Sequence, residues 1–157
     1  MNVSEQFDLL VGDLAALSGM TFERDEDGVW QIPMHGGDIL VCLAYRPASG
    51  QVIAFARVET MIPGVCAAQR ARALLEANAF WRGTDGFTLA MDPETRQLIA
   101  LDRRAPSFFA TVDKLAHYVN VLVTLVEDLR AELRHLNDAA EIAEENGLEV
   151  GHGHEQD

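Results

Sequence analysis

The chain has 157 residues, 48% of them hydrophobic, with mean hydropathy close to zero, which suits one globular domain and excludes a disordered polymer. Its formal net charge of −13 argues against nucleic acid, whose phosphates it would repel. No apolar run approaches the ~20 residues that span a bilayer, so membrane insertion is not expected.

The start, MNVSEQFDLL, lacks the basic n-region and small-residue cleavage site of a signal peptide. Ser4 is placed to cap a helix whose apolar positions are Phe7, Leu10, Val11, Leu14 and Leu17, with Gly19 at its end. Asp27-Gly28 then forms a turn between short extended runs. The segments with Trp30, Ile32 and Met34, DILVCLAYR and QVIAFARVE read as three antiparallel strands in a meander. Pro63-Gly64 closes the sheet segment, and VCAAQRARALLEANAFW is dense in strong helix formers, with Ala71, Leu74, Leu75 and Asn78 on one side. After Gly83, GFTLAMD and RQLIALDRR form a hairpin around Asp92-Pro93-Glu94-Thr95. Beyond Pro106 a long helix is expected from about Thr111 to about Asn146, with a stripe from Leu115 through Leu122 and Leu129 to Leu136. Residues 147–157 are expected to be a flexible acidic, His-containing tail. The order α-β-β-β-α-β-β-α, with hairpins and segregated helices, is α+β in a single domain over residues 1–146.

Charge is unevenly spread: −6 over residues 1–63, +1 over 64–106 and −8 over 107–157. The near-neutral middle is the stretch best able to approach a second copy of itself.

Catalysis finds no foothold. His35, His117, His135, His152 and His154 lie in unrelated contexts, and neither Cys42 nor Cys66 has a neighbour that would activate it. Two cysteines make no disulfide framework, which suits a reducing cytoplasm. No phosphate-binding loop, dinucleotide-binding glycine pattern or nucleophile elbow is present. His152-x-His154 with Glu155 is an incomplete metal ligand set. An enzyme, a metal and a cofactor are therefore not expected.

The strand faces carry more information. Ile39, Val41, Leu43 and Tyr45 share one face of their strand, but Leu40, Cys42 and Ala44 make the opposite face apolar too. In the next strand Ile53 and Phe55 oppose Val52, Ala54, Ala56 and Val58. A half-exposed antiparallel sheet should alternate apolar with polar, so both faces require cover. The long helix can cover one face, and the first helix only part of the other. Either an outside partner completes the cover or the core closes fully on itself; the pattern leaves both open.

The phrases DLLVGDLAALSG, DEDGVWQIPM and ALLEANAFWRGTDGFTLAMDPETRQLIALDRR, in this order, carry a family resemblance. From roughly Phe7 to Leu136 the chain resembles the class I type III secretion chaperones, the Tir-chaperone-like (CesT-type) family that escorts effector proteins to the bacterial injectisome. The resemblance implies a bacterial cytoplasmic homodimer with its second helix and following strand at a two-fold axis, through Ala71, Leu74, Leu75, Asn78, Leu89 and Met91. It also implies that a non-globular effector segment wraps the dimer and is delivered to the secretion apparatus. The groove residues expected to receive it are Phe7, Leu10, Val11, Leu14, Trp30, Ile32, Leu40, Cys42 and Phe55. The last helix is longer than is typical of the family, lacks the tryptophan often found there, and is followed by the extra tail. These departures leave room for a multi-effector chaperone of the HpaB type that also contacts the secretion ATPase or another apparatus component. The competing reading is a non-secretion adaptor or regulator on the same fold, of the YbjN-like kind.

Overall fold

The computed structural model describes residues 1–61, 64 and 67–150. Pro63 of the expected turn, Val65 and Cys66 of the expected second helix, and tail residues 151–157 with His152, His154 and Glu155 lie outside them.

Helix α1 spans Val3–Ser18. Its cap is Asn2 and not Ser4, because Asn2 and Glu5 satisfy each other. The Asn2 side chain accepts from the Glu5 amide at 2.9 Å, and the Glu5 carboxylate accepts from the Asn2 amide at 2.8 Å. Gly19, in the left-handed region at φ 66°, closes the helix as expected.

Six strands follow, interrupted by one helix: β1 Glu23–Arg24, β2 Trp30–Met34, β3 Ile39–Arg46, β4 Gln51–Thr60, helix α2 Ala67–Asn78, β5 Thr88–Met91 and β6 Gln97–Arg104. They form one sheet of order β1-β2-β3-β4-β6-β5, with every pair antiparallel. The architecture is the expected α+β one, with a short extra strand, β1. It forms because the Asp25–Gly28 turn folds Glu23 back opposite Gln31, with the Val29 amide donating to Asp25 Oδ1 at 2.8 Å.

Helix α3 spans Val112–Val150, so it continues through Gly147 instead of ending near Asn146. At 39 residues it is about 58 Å long. Leu115, Tyr118, Val119, Leu122, Leu125, Val126, Leu129 and Leu133 are all buried, on the stripe the periodicity marks. Beyond Asn137 the described side chains are exposed, apart from half-buried Ala140.

Both α1 and α3 pack on the same face of the sheet. Phe7, Val11 and Leu14 join the α3 stripe and the inward residues Ile32, Val41, Leu43, Val52, Ala54 and Ala56 in one core. The expectation that α1 covers part of the second face is thereby corrected. Its stripe meets Phe109, 6.3 Å from Phe7 between ring centroids, and Trp30 Nε1 donates to Asp8 at 2.9 Å. Those contacts tie α1 to β2 and to the turn leading into α3, while its stripe packs on α3 itself.

Arg130 fastens α3 to the far end of the sheet. Its Nε donates to the Val58 carbonyl at 2.6 Å, and its Nη1 and Nη2 to Asp38 Oδ2 and the Asp38 carbonyl at 2.8 and 3.2 Å. Replacing it strands the Val58 carbonyl in a part-buried position. Arg130→Ala should lower unfolding stability by about 2 kcal/mol, read as a fall in the urea midpoint at fixed protein concentration, with Arg130→Lys intermediate.

Candidate partner-binding surfaces

The outer face of the sheet is built by strand alternation. Cys42 stands opposite Phe55, and Phe55 opposite Leu101; Ala44 stands opposite Ile53. Arg57 pairs with Ile99, which in turn pairs with Ala90 on the edge strand β5. Among the described residues no helix packs on this face. Val29, Cys42 and Ala44 form a small buried cluster with Phe55 partly over it, separate from the main core. Ile53, Phe55, Ile99 and Leu101 are half-buried, and Leu40 is 40% exposed. The inner face, by contrast, is sealed: Val41, Val52, Ala54, Ala56, Leu98 and Ala100 are 0–2% exposed. An uncovered apolar face of this kind is a candidate binding surface.

The nine groove residues expected from sequence divide between the two layers. Phe7, Val11, Leu14 and Ile32 are 4%, 0%, 7% and 1% exposed, so they are core residues and not groove residues. The reason is the placement of α1: its apolar stripe is consumed by α3 and the inner face. Trp30 is half-buried on the same side, with its indole bonded to Asp8 and the Arg24 guanidinium 5.5 Å from its ring. Leu10 is half-buried and lines a cleft of about 560 Å³ with Val3, Gln6, Tyr45, Pro106 and Phe109, between the start of α1 and the β3–β4 turn. Leu40, Cys42 and Phe55 share the outer face. The expected groove left out Ile53, although the strand pattern sets it on the face of Phe55, and also Ile99 and Leu101, which alternation within RQLIALDRR marks.

Among the described residues nothing in the surroundings of Cys42 activates its thiol. Burial first, and Asp25 second, push its thiol up to about 11, so it stays neutral at ordinary pH. Tyr118 is likewise held protonated, by burial and then by Asp102, whose Oδ2 accepts its hydroxyl at 3.0 Å. Among the described residues no three His, Cys, Asp or Glu side chains gather as a metal site. No described helix is long and apolar enough to cross a membrane.

A second surface lies at the β5 edge. Helix α2 has no buried residue and touches mainly β5 and α3. Of the six residues expected at a two-fold contact, three serve the chain itself. Leu89 is 7% exposed, Leu74 packs partly on the core, and Asn78 is tied to the Leu89 backbone by bonds of 2.8 and 3.0 Å. Ala71, Leu75 and Met91 remain exposed, the last two at 70% and 55%. Next to them stand Phe80 and Trp81, 83% and 59% exposed, both at positive φ of 55° and 54°. Two consecutive bulky aromatics in that region are strained, and both rings are exposed.

The Tir chaperone protein (CesT) family model matches residues 10–130, well over half of the chain. Comparison with the curated proteins finds no match. Among solved structures, a chain of the HopA1–SchA chaperone–effector complex superposes with a TM-score of 0.65 at 16% identity, over 80% of this chain and 93% of that one. A chain of the ExsC–ExsE complex gives 0.66 at 14%, over 83% and 96%. The Yersinia pestis type III secretion chaperone SycH, in complex with a stable fragment of YscM2, gives 0.56 at 19%, over 82% and 97%. At such identities the likeness is one of fold. The family assignment rests on the sequence match: this chain belongs to the Tir chaperone protein (CesT) family of type III secretion chaperones.

Proposed function

We propose that this chaperone receives the N-terminal chaperone-binding region of one or more secreted effectors on the outer face of its sheet. It holds that region non-globular in the bacterial cytoplasm and delivers it to the secretion apparatus. The observation that carries the reading is an apolar sheet face without a helix, centred on Cys42, Phe55 and Leu101, in a member of this family. The HopA1–SchA structure, described as a chaperone–effector complex, supports an effector as the partner. The family match gives no such support to a non-secretion adaptor. Covering each apolar anchor contributes roughly 1.5–3 kcal/mol before the cost of ordering the effector is subtracted. The work is binding and release, without catalysis or cofactor.

The working unit in this reading is a homodimer joined across the α2–β5 edge. Leu75, Phe80, Trp81 and Met91 are its anchors, since large exposed aromatics carry most of the energy of such contacts.

The effector's N-terminal region should co-purify with the chain and be lost on Phe55→Asp, in a variant that keeps its circular dichroism spectrum. Failure of every secreted protein of the same bacterium to bind the wild type would sink the reading. Alkylation gives an independent readout. In Cys66→Ser protein, Cys42 should react slowly with iodoacetamide at pH 8, and about tenfold faster per pH unit towards 11, because only the thiolate reacts. Bound effector should slow that reaction; an unchanged rate would remove the outer face as the binding surface. For the dimer, light scattering should give twice the 17.3 kDa chain mass, falling to one chain in Leu75→Asp with Trp81→Asp. A wild-type particle of 17.3 kDa would rule the interface out.

A further inference from the structure

Acidic residues outnumber basic ones 25 to 12 in this chain, yet the outer face reverses the balance. Its outward positions on β3, β4 and β6, at alternate residues from Leu40 to Arg46, Gln51 to Arg57 and Gln97 to Arg103, hold three arginines and no carboxylate. Arg57 and Arg103 are exposed, and half-buried Arg46 reaches only the Asp27 carbonyl, at 3.4 Å. Among the described residues none of the three forms a salt bridge, whereas Arg24, Arg72, Arg104 and Arg130 each pair with an acid. The carboxylates of this face lie at its β1–β2 side: Glu23 stands opposite Gln31, and the Asp25–Asp27 turn lies near Cys42 and Arg46, away from Arg57 and Arg103.

The arginines bracket the apolar centre. Arg57 stands opposite Ile99 and Arg103 opposite Ile53, so the two lie on adjacent strands offset by four residues. That offset is about 13 Å along the strand direction, with Phe55 and Leu101 between. A nucleic acid does not suit this site, because the surrounding −13 charge opposes a polyphosphate. A second copy does not suit it either, since the uncharged anchors for self-association lie at the α2–β5 edge.

We infer that the segment received on this face has an apolar centre flanked by two carboxylates about 13 Å apart, four residues in extended chain, which seat on Arg57 and Arg103. The inference rests on the chaperone reading and names the chemistry of its cargo. Apolar contact supplies the affinity, while the arginines fix register, since a shift by one residue removes both charges from their partners. The pairs are rim-exposed and therefore sensitive to salt.

The test uses the full chain and three labelled peptides that share one apolar centre and carry two Glu, two Gln or two Lys residues four apart. The Glu peptide should bind on the order of tenfold more tightly than the Gln peptide at low salt, with the difference shrinking as salt rises. Arg57→Glu combined with Arg103→Glu should reverse the preference towards the Lys peptide. The pair Arg57→Gln and Arg103→Gln should abolish it, and serves where reversal disturbs the circular dichroism spectrum. Equal binding of the three peptides, or a preference that survives these changes, would overturn the inference. So would a fall in particle mass on charge reversal, which would make a second copy the occupant. If effector still co-purifies with the reversed variant as well as with wild type, the charge inference fails and the chaperone reading stands. No co-purification with wild type is instead a failure of the reading itself.

Discussion

The stripe of α3 decides what the rest of the molecule can do. Leu115, Leu122, Val126 and Leu133, almost fully buried, fill the inner face of a sheet whose strands are apolar on both sides. Helix α1 could have gone to the other face, but Phe7, Val11 and Leu14 find Phe109 and α3, and the larger joint core wins. Contiguous burial is favoured because each added side chain removes apolar area from water on several neighbours at once. The consequence is asymmetry: one sheet face is sealed and the other is bare.

A bare apolar face is tolerable only if it is small, shielded at its centre, or met by a partner. Here small residues do part of the work. Cys42 and Ala44 sit low between Val29 and Phe55 and are themselves buried, which limits the area left to water. What remains exposed is a shallow apolar strip rimmed by guanidinium groups, in a protein otherwise dominated by carboxylates. The negative charge that dominates the chain is thus kept off the outward positions of β3, β4 and β6.

The α2–β5 edge follows the same logic with weaker internal anchoring. The reciprocal Asn78–Leu89 bonds and the Arg70–Asn137 contact hold α2 in place, yet no residue of that helix is buried. Its apolar residues, and the strained pair Phe80–Trp81, are presented outward. Fold energy is concentrated in α1, α3 and the sheet, leaving this edge and the outer face available for association.

By itself the sequence determined the elements and their faces. The 3.6-residue stripes of α1 and α3, the alternation in β3 and β4 and the Gly19 cap are local signals, and each reads correctly because local geometry creates it. The uncovered face was legible as a surplus of apolar positions over available helices. Local pattern could not assign the layers. Phe7 and Phe55 look alike in sequence, and only the docking of α1 against α3 made the first a core residue and the second a surface one. Asn78 and Leu89 were marked for contact, but which partner they meet depends on the pairing of β5 with β6, a non-local choice. The arginine rim has the same origin: Arg46, Arg57 and Arg103 are far apart in the chain and become one feature only when the register of β3, β4 and β6 brings them to one face.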